Sequence, residues 1–324
     1  MNGEKSLLSL KCIVFGGAGF IGSHIVGALV QKGCDVTIFD RPNVSLDNLS
    51  DNLDTINIIQ GDLCNHSDVE EALRGQDLIF HFAATTLPAS SNQNPIYDVE
   101  TNLISTLGLI ESALKHNIKK IIFASSGGTV YGIPQSLPIS ETHPTEPICS
   151  YGILKLSIEK YLALFEHLHR LPYVVLRFGN PYGERQRLTS AQGVIPVFLG
   201  KIRNNEYIDI WGDGSVARDY FHISDLVSAV IKATESNISG EIFNIAGGKA
   251  YTLLEILTVI EKVTGIKPCV RFLNGRRFDV PTNYLDITKA RRLLDWKPLV
   301  CIEEGIQRTW HWVNEDKRNQ CQCK

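Results

Sequence analysis

A tyrosine and a lysine stand four residues apart in the segment CSYGILKLS, at Tyr151 and Lys155. The segment is predicted to begin a helix, and residues four apart share a helix face, so the phenol and the ammonium should be neighbours. An ammonium favours the phenolate and should lower the tyrosine pKa from its usual value of about 10. Tyr151 could then act as a general base that removes a proton from a hydroxyl group.

A second set of polar side chains follows the apolar run KKIIF, in the stretch ASSGGTVYG. The run predicts a buried strand, so Ser125, Ser126 and Thr129 should lie at or just beyond its carboxyl end. Two glycines separate the serines from the threonine, and the stretch contains no Asp or Glu. This strand end therefore offers hydroxyl groups but no carboxylate for acid–base chemistry.

Short apolar runs recur along the first half of the chain, each separated from the next by a helix-length segment. Runs that are apolar throughout suit strands covered on both faces, and the alternation predicts a parallel sheet with crossover helices. The runs are CIVF (12–15), VTIF (36–39), INII (56–59), LIFHFA (78–83), IIFA (121–124) and YVVLRF (173–178). The predicted fold class is α/β, with a doubly wound parallel (Rossmann-type) sheet and a smaller C-terminal mixed α/β substrate lobe.

Three glycines in FGGAGFIGSH indicate a dinucleotide site between the first strand and its helix. Gly16, Gly19 and Gly22 permit a tight turn and let backbone amides approach a pyrophosphate at the helix N-terminus. Asp40 ends the second strand 18 residues after Gly22 and is placed to bind ribose hydroxyls, which favours NAD over NADP. The following Arg41 leaves NADP open, since it could instead hold a ribose phosphate. Asp62, in GDL, could reach the adenine or simply stabilise a turn.

The domain boundaries are predicted from a change of pattern after Asn180, where a polar loop replaces the regular alternation. We expect residues 1–180, with about 217–247 added, to form the NAD-binding Rossmann domain. The run EIFNIA within the added segment is predicted to return to the main sheet. Residues 181–216 and 248–315 are expected to form a nucleotide-sugar-binding lobe, and 316–324 a polar tail.

Composition and charge limit the expected partners. The formal net charge is −3, which gives no electrostatic reason to expect nucleic acid or an anionic membrane as a partner. The N-terminal apolar stretch is too short for a signal peptide, and no apolar run is long enough to span a bilayer. The eight cysteines and nine histidines show no disulfide or metal-ligand pattern. We therefore expect a cytoplasmic protein with reduced thiols and no metal.

In combination, these segments resemble an extended short-chain dehydrogenase/reductase, and most of all the nucleotide-sugar 4-epimerases. The resemblance runs from about Cys12 to Trp312. It rests on GGAGFIG, Asp40, GDL, HFAA, Asn102, ASSGGTVYG, Tyr151 with Lys155, RFGNPYG, ARDYFHISD and FNIAGG. The chain departs from the family pattern at Phe15, where relatives usually carry a threonine, and in the extra glycine of SSGGT.

The resemblance implies a catalytic set of Ser126, Tyr151 and Lys155. Ser126 is selected by counting from the strand, and it lies 25 residues before Tyr151, the spacing that the family implies; counting back from VYG points to a glycine. Ser125 remains the alternative hydroxyl. Ser125 and Thr129 are candidate substrate-binding residues, although hydrogen bonds to the turn backbone would also explain both. The resemblance further implies cofactor contacts by Phe20, Ile21, Leu63, Ala83 and Lys155.

The resemblance assigns the nucleotide sugar to four further residues. Asn180 corresponds to the asparagine of the R-F-x-N-x-x-G segment, which contacts the sugar nucleotide. Arg218 and Arg276 correspond to two arginines that hold the diphosphate, whose oxygens match the guanidinium fork. Asn283 lies where a tyrosine would block an N-acetyl group, so the smaller side chain favours tolerance of N-acetylhexosamines. The choice of UDP as the nucleotide rests on similarity alone.

Glycines in place of carboxylates at this strand end favour epimerisation. Related 4,6-dehydratases carry an Asp–Glu pair there, because eliminating water needs an extra acid and base, and related decarboxylases tend to carry a glutamate. The implied function is an NAD-dependent 4-epimerase of a UDP-hexose (UDP-GlcNAc/UDP-GalNAc, UDP-Glc/UDP-Gal or both) that supplies sugars for surface polysaccharide. The alternatives are a UDP-uronic acid 4-epimerase, a nucleotide-sugar reductase or dehydratase on the same scaffold, and a non-catalytic NAD(P)-binding protein.

The resemblance also implies a homodimer. Relatives pair two helices from each subunit, which correspond to residues 97–116 and 151–169 here. The second of these carries an apolar stripe that could contact either a partner or its own sheet.

Overall fold

The computed structural model of the protein describes residues 7–190, 192–275 and 280–315. The strands in these ranges are β1 (Lys11–Phe15), β2 (Asp35–Asp40), β3 (Ile56–Gln60), β4 (Leu78–His81), β5 (Lys120–Ser126), β6 (Tyr173–Phe178), β7 (Asn180–Tyr182), β8 (Ile208–Trp211), β9 (Ala217–Arg218), β10 (Tyr220–His222), β11 (Glu241–Ile245), β12 (Tyr251–Thr252), β13 (Val270–Leu273) and β14 (Thr282–Asn283).

The helices connect these strands. They are α1 (Phe20–Gln31), α2 (His66–Leu73), α3 (Pro88–Ser91), α4 (Pro95–Asp98), α5 (Ser105–Lys115), α6 (Ser150–His169), α7 (Val194–Arg203), α8 (Ile223–Glu235), α9 (Leu253–Thr264), α10 (Thr288–Leu293) and α11 (Ile302–Glu315). A 3-10 helix spans Asp47–Thr55, and a π-helical segment, Val99–Ile104, joins α4 to α5.

Seven parallel strands form the main sheet, in the order β11-β6-β5-β4-β1-β2-β3. The six apolar runs form β1 to β6, and EIFNIA contributes β11 beside β6, so both of these predictions are confirmed. The strand order reverses between β1 and β4. In doubly wound sheets a ligand crevice opens at the carboxyl ends of the strands at such a point.

Two apolar clusters cover the two faces of this sheet. On one face, α1 and α8 pack against the strands through side chains such as Ile25, Leu29 and Leu226. On the other face, α2, α5 and α6 do the same. Burial on both faces explains why β1 and β4 to β6 are apolar without alternation, while the edge strand β3 remains partly exposed. The Rossmann-type fold class is therefore confirmed.

A third apolar cluster forms a smaller lobe from C-terminal segments. It joins α7, α9 and α11 to the paired strands β8 and β13, through side chains such as Phe198, Ile256 and Ile306. Tyr220, which lies in the segment assigned to the nucleotide-binding domain, also packs in this cluster. None of the helices in the described ranges is long and apolar enough to cross a membrane.

Candidate active site

A cavity of about 470 Å³ opens at the carboxyl ends of the central strands, between the main sheet and the smaller lobe. The sheet side contributes Phe20, Ser126, Tyr151 and Lys155, and the lobe side contributes residues of β8 to β10. A second cavity of about 820 Å³ shares Phe20 and residues 84, 186 and 192 with the first, and continues along the start of α1. The fold thus brings the predicted catalytic residues to one crevice beside the glycine loop.

The glycine loop is packed so closely that a side chain at Gly16 or Gly22 would collide with the protein backbone. Gly16 has a φ of +81°, and a Cβ there would lie 2.9 Å from backbone atoms of Ala83. A Cβ on Gly22 would lie 2.1 Å from the Gly16 carbonyl oxygen. No side chain caps α1 at Gly19, so the first N–H groups of the helix remain available to a pyrophosphate.

The two acidic residues predicted at the cofactor site both hold backbone groups. Asp40 Oδ2 accepts a hydrogen bond from Ala18 N at 3.0 Å, which ties the end of β2 to the glycine loop. Asp62 Oδ1 accepts from Cys64 N at 2.9 Å, as the turn interpretation required. Leu63 packs against the apolar cluster that joins α2, α5 and α6 to the sheet. Arg41 is exposed. Contacts of these residues with a cofactor stay predictions.

Tyr151 and Lys155 are neighbours on the first turns of α6. The Lys155 ammonium lies 5.5 Å from the centroid of the Tyr151 ring and 4.7 Å from that of Phe123. It donates to the Ala124 carbonyl oxygen at 2.8 Å, which anchors α6 to the end of β5. Burial lowers the pKa of Lys155 to about 8, although Glu159 and Asp98 act in the opposite direction.

The prediction that Lys155 lowers the pKa of Tyr151 is wrong for the protein chain without a ligand. Burial raises the pKa of Tyr151, and Cys149 and Asp98 act in the same direction. Removing a phenol from water disfavours its charged form, and this effect outweighs an ammonium that lies over the ring rather than at the hydroxyl. A phenolate at Tyr151 thus requires further positive charge in the crevice.

The two serines at the end of β5 point in different directions, as successive strand residues do. Ser125 Oγ donates to the buried Glu159 Oε1 at 2.5 Å. Although Ser125 also borders the cavity, its hydroxyl is satisfied inside the protein, which goes against its predicted substrate contact. Ser126 ends the strand and lines the cavity with Tyr151 and Lys155. The geometry therefore favours Ser126 over Ser125 as the catalytic hydroxyl.

The two glycines after Ser126 differ in the space around them. A Cβ on Gly127 would lie 2.4 Å from Leu285 Cδ1, whereas the nearest atom to a Cβ on Gly128 is Ser126 Oγ at 3.8 Å. Leu285 is fully buried, and its backbone N–H donates to Asp219 Oδ2 at 3.0 Å. A side chain at residue 127 therefore requires the buried Leu285 side chain to move, whereas one at residue 128 does not.

This difference predicts unequal effects of two alanine substitutions. Gly127→Ala should destabilise the protein by about 1–3 kcal/mol, because Leu285 must move. Gly128→Ala should change stability by less than about 0.5 kcal/mol, since neither φ is left-handed and the space at residue 128 is open. Urea denaturation of both variants provides the comparison. Equal destabilisation by the two substitutions would contradict this packing.

Three predicted substrate-binding residues have buried polar atoms without a hydrogen-bond partner in the described part of the chain, and of these three Asn180 lines the cavity whereas Thr129 and Asn283 do not. Asn180, which lines the cavity, has such an Oδ1 atom, and Thr129 has such an Oγ1 atom. Asn283 is buried in β14, with its Nδ2 atom 3.5 Å from the Gly127 carbonyl oxygen and its Oδ1 atom unpaired. Unpaired buried atoms are rare in proteins, and a ligand would satisfy those that face the crevice.

The predicted diphosphate site is only partly within the described residues. Arg218 lines the cavity from β9 and donates to the carbonyl oxygens of Ala217 and Val280 at 2.8 and 2.7 Å. Arg276 lies outside the described residues. The next residue, Asp219, is fully buried, and its side chain accepts from the N–H groups of Gly247 and Leu285.

The sequence did not identify several residues that line the cavity from the smaller lobe. Trp211 offers an aromatic surface to the cavity, and Tyr220 has a buried hydroxyl without a partner in the described ranges. Both are close in sequence to Arg218, in the stretch WGDGSVARDYFH. The sequence signal that could have identified them is an aromatic residue beside a Gly-Asp-Gly turn, with further aromatic residues shortly after it. Gln186, Gln192 and Leu253 carry no comparable signal.

Known proteins match most of the chain. The profile of the NAD dependent epimerase/dehydratase family matches residues 12–246. The UDP-glucose 4-epimerase of Thermotoga maritima, solved with UDP-glucose, is 34% identical, with a TM-score of 0.90 over 94% of this chain and 99% of that chain. A UDP-N-acetylglucosamine 4-epimerase from Methanobrevibacter ruminantium, in complex with UDP-N-acetylmuramic acid, is 33% identical, with a TM-score of 0.89 over 95% and 99% of the two chains.

Similarity extends to a relative with a different reaction. A dTDP-4-dehydro-6-deoxyglucose reductase of Escherichia coli is 34% identical over 302 residues, which cover 91% of this chain and 95% of the reductase. The matches confirm the resemblance seen in the sequence and NAD as the cofactor. The glycine loop, the Tyr151–Lys155 pair and these matches together place the chain in the NAD dependent epimerase/dehydratase family.

Proposed function

We propose that the protein is a UDP-hexose 4-epimerase that acts on UDP-GlcNAc/UDP-GalNAc, UDP-Glc/UDP-Gal or both. The observation that carries the proposal is the strand end beside Ser126, where glycines stand instead of an acid–base pair. Among the described residues that line the cavity, the acidic one is Asp209, which is paired with Arg271 in the smaller lobe. Glu159 and Asp98 lie behind the catalytic residues and are bound to other side chains. Oxidation at carbon 4 and hydride return need no further carboxylate.

Tyr151 removes the proton from the 4-hydroxyl, and Ser126 shares that hydrogen bond. NAD⁺ held beside the glycine loop would supply the hydride acceptor and a positive charge that favours the phenolate. Lys155, held by the Ala124 carbonyl oxygen, adds its own charge to the same side of the crevice. After the 4-keto sugar turns over, Tyr151 returns its proton as the hydride returns to the opposite face. The reaction is redox-neutral, so the cofactor stays bound between turnovers.

The smaller lobe is suited to a nucleoside diphosphate. Arg218 offers a guanidinium group for the diphosphate, Asn180 an amide for the sugar nucleotide, and Trp211 a flat aromatic surface for the base. Similarity to the Thermotoga and Methanobrevibacter enzymes supports UDP. The size of Asn283 and the second of these relatives support N-acetylated sugars. A supply of sugars for surface polysaccharide, in the cytoplasm, is the cellular role we assign to this activity.

Proton NMR of the purified protein with UDP-GlcNAc, and separately with UDP-glucose, tests the proposal. We expect each accepted substrate to give its galacto epimer without added cofactor. A reductase, the role of the Escherichia coli relative, would instead consume NADH or NADPH in proportion to product. No epimer from either sugar, even after NAD is added, would contradict the proposal.

We also propose that the protein is a homodimer through α4, the π-helical segment, α5 and α6. These helices expose apolar side chains, of which Ile96 is 73% exposed and Leu168 60% exposed.

Replacing Leu164 and Leu168 by glutamate should convert the dimer to monomers, because charges would be buried without partners. Leu299→Glu, at a leucine that is exposed in another part of the surface, is the matched control. Sedimentation that shows a monomer for the unmodified protein at micromolar concentration would contradict the proposal.

A further inference from the structure

Asp98, at the end of α4, is a fully buried carboxylate beside the catalytic helix. Its oxygens accept hydrogen bonds from Ser150 Oγ at 2.6 Å, from Asn102 Nδ2 at 3.0 Å and from the Thr86 hydroxyl. In the described parts of the chain, no basic side chain forms an ion pair with it. A buried charge held only by neutral donors is costly, which indicates a role other than stability.

The start of α6 depends on contacts from outside the helix. Its N-cap residue, Cys149, makes no side-chain capping bond. Instead, Ser150 N donates to Asn92 Oδ1 at 2.8 Å, and Tyr151 N donates to Ser91 Oγ at 3.1 Å. The Asp98 carboxylate holds the Ser150 hydroxyl, one residue before Tyr151. Residues of the segment that follows β4 thus hold the first turn of α6, which carries Tyr151.

The same carboxylate is connected to the loop that borders the cavity. Asn102 donates to Asp98 and accepts from Thr85 N at 2.9 Å, and Asp98 accepts from Thr86. Asn102 lies in the π-helical segment, and the Thr106 hydroxyl donates to its carbonyl oxygen at 2.5 Å. Side chains that bond to carbonyl oxygens stabilise such irregular turns, which often occur at functional sites. Asp98 therefore joins the loop after β4 to the first turn of α6.

We propose that Asp98 is a positioning residue for the reaction, which fixes Tyr151 over the cavity through the Ser150 hydroxyl and the Thr85–Thr86 loop. The proposal rests on the proposed function, since the reaction is the one assigned to Tyr151. Asp98 is not among the residues that line the cavity, so its positioning effect on Tyr151 passes through Ser150.

The charge of Asp98 has a second effect on the same tyrosine. The titratable groups that face Tyr151 are Lys155 on α6, Cys149 before the helix and Asp98 on α4. Asp98 raises the pKa of Tyr151 and also that of Lys155. Removing this negative charge should lower the pKa of Tyr151, so that the phenolate forms at lower pH. The acid limb of a pH–rate profile, where activity rises as the phenolate forms, should then move to lower pH.

Four variants separate the two effects. Asp98→Asn keeps the shape, and its amide oxygen can accept from Asn102 and Thr86 while its NH₂ group donates to Ser150 Oγ, which reverses that one bond. Its maximal kcat should therefore stay within about threefold while its acid limb moves to lower pH. Ser150→Ala removes the bond to Asp98 and should lower kcat about tenfold, with KM changed less than about threefold. Ser150→Thr retains a hydroxyl and should restore kcat. Asp54→Asn, at an exposed aspartate on the 3-10 helix, is the control that should change neither quantity.

The outcomes are distinguishable from those of the proposed function. An unmoved acid limb in Asp98→Asn, or a kcat for Ser150→Ala equal to that of Ser150→Thr, would overturn the assignment of Asp98. If the unmodified protein converts no tested sugar, the proposed function fails, yet Asp98 remains testable by ultraviolet titration of Tyr151. The titration of Tyr151 is obtained by subtracting the tyrosinate absorbance of the Tyr151→Phe variant from that of the corresponding protein that retains Tyr151. A phenolate that forms at the same pH with and without the Asp98 charge would again overturn the inference.

Discussion

Tyr151→Phe should lower kcat for UDP-hexose epimerisation by about 10²- to 10⁴-fold, the range for loss of a positioned general base. The substitution removes only the hydroxyl, and the neutral hydroxyl of Ser126 is too weak a base to take over proton removal. Lys155 and the glycine loop are unchanged, so bound NAD should remain. Steady-state kinetics, with the NAD content measured on the same preparation, provide the measurement.

The control for this experiment lies on the same helix. Tyr161 is 38% exposed on α6 and faces away from the cavity, so Tyr161→Phe should leave kcat within about twofold. If Tyr151→Phe retained near-normal turnover, the assignment of Tyr151 as the base would be wrong. Loss of NAD from the variant would instead indicate a role in cofactor binding.

Glu159→Gln should destabilise the protein by about 3–5 kcal/mol, because it leaves a buried arginine without its counter-charge. Arg177 donates to Glu159 through Nε at 3.0 Å and through Nη2 at 2.5 Å, and Ser125 donates to the same carboxylate. Both charged side chains are almost completely buried between α6 and the sheet. Chemical denaturation of the variant, with NAD present, provides the measurement.

An exposed pair provides the comparison for this effect. Glu304 and Arg308 form an ion pair four residues apart on the surface of α11, and exposed pairs of this kind contribute at most about 1 kcal/mol. Glu304→Gln should therefore change stability far less than Glu159→Gln. Replacing Arg177 by methionine in the Glu159→Gln background should recover part of the loss, since no uncompensated charge remains. If Glu304→Gln and Glu159→Gln destabilised the protein equally, this assignment of stability to the buried pair would be wrong.

The main sheet was predictable from the sequence because its signal is local. Each strand of the first half is an apolar run with no alternation, and the glycine loop marks the strand–helix turn after β1. The helix spacing of Tyr151 and Lys155 was equally local. Even EIFNIA could be placed in the sheet, since its apolar character matches that of β6.

The features that were not predictable depend on contacts distant in sequence. The choice between Ser125 and Ser126 depends on Glu159, which lies on another element. The raised pKa of Tyr151 comes from burial, which no sequence pattern reports. The tight space at Gly127 comes from the side chain of Leu285, which is 158 residues away. Asp98 looks like an ordinary surface residue in a polar segment until the fold places it against Ser150.

In the proposed reaction, hydride leaves carbon 4 of the sugar and returns to the same carbon on the other face. Conversion of a UDP-hexose carrying deuterium at carbon 4, in ordinary water and without added cofactor, tests this claim most directly. We predict that NMR and mass spectrometry will show the epimer with its deuterium retained at carbon 4. Loss of deuterium to water, or its accumulation in free NADH with no epimer formed, would contradict the account.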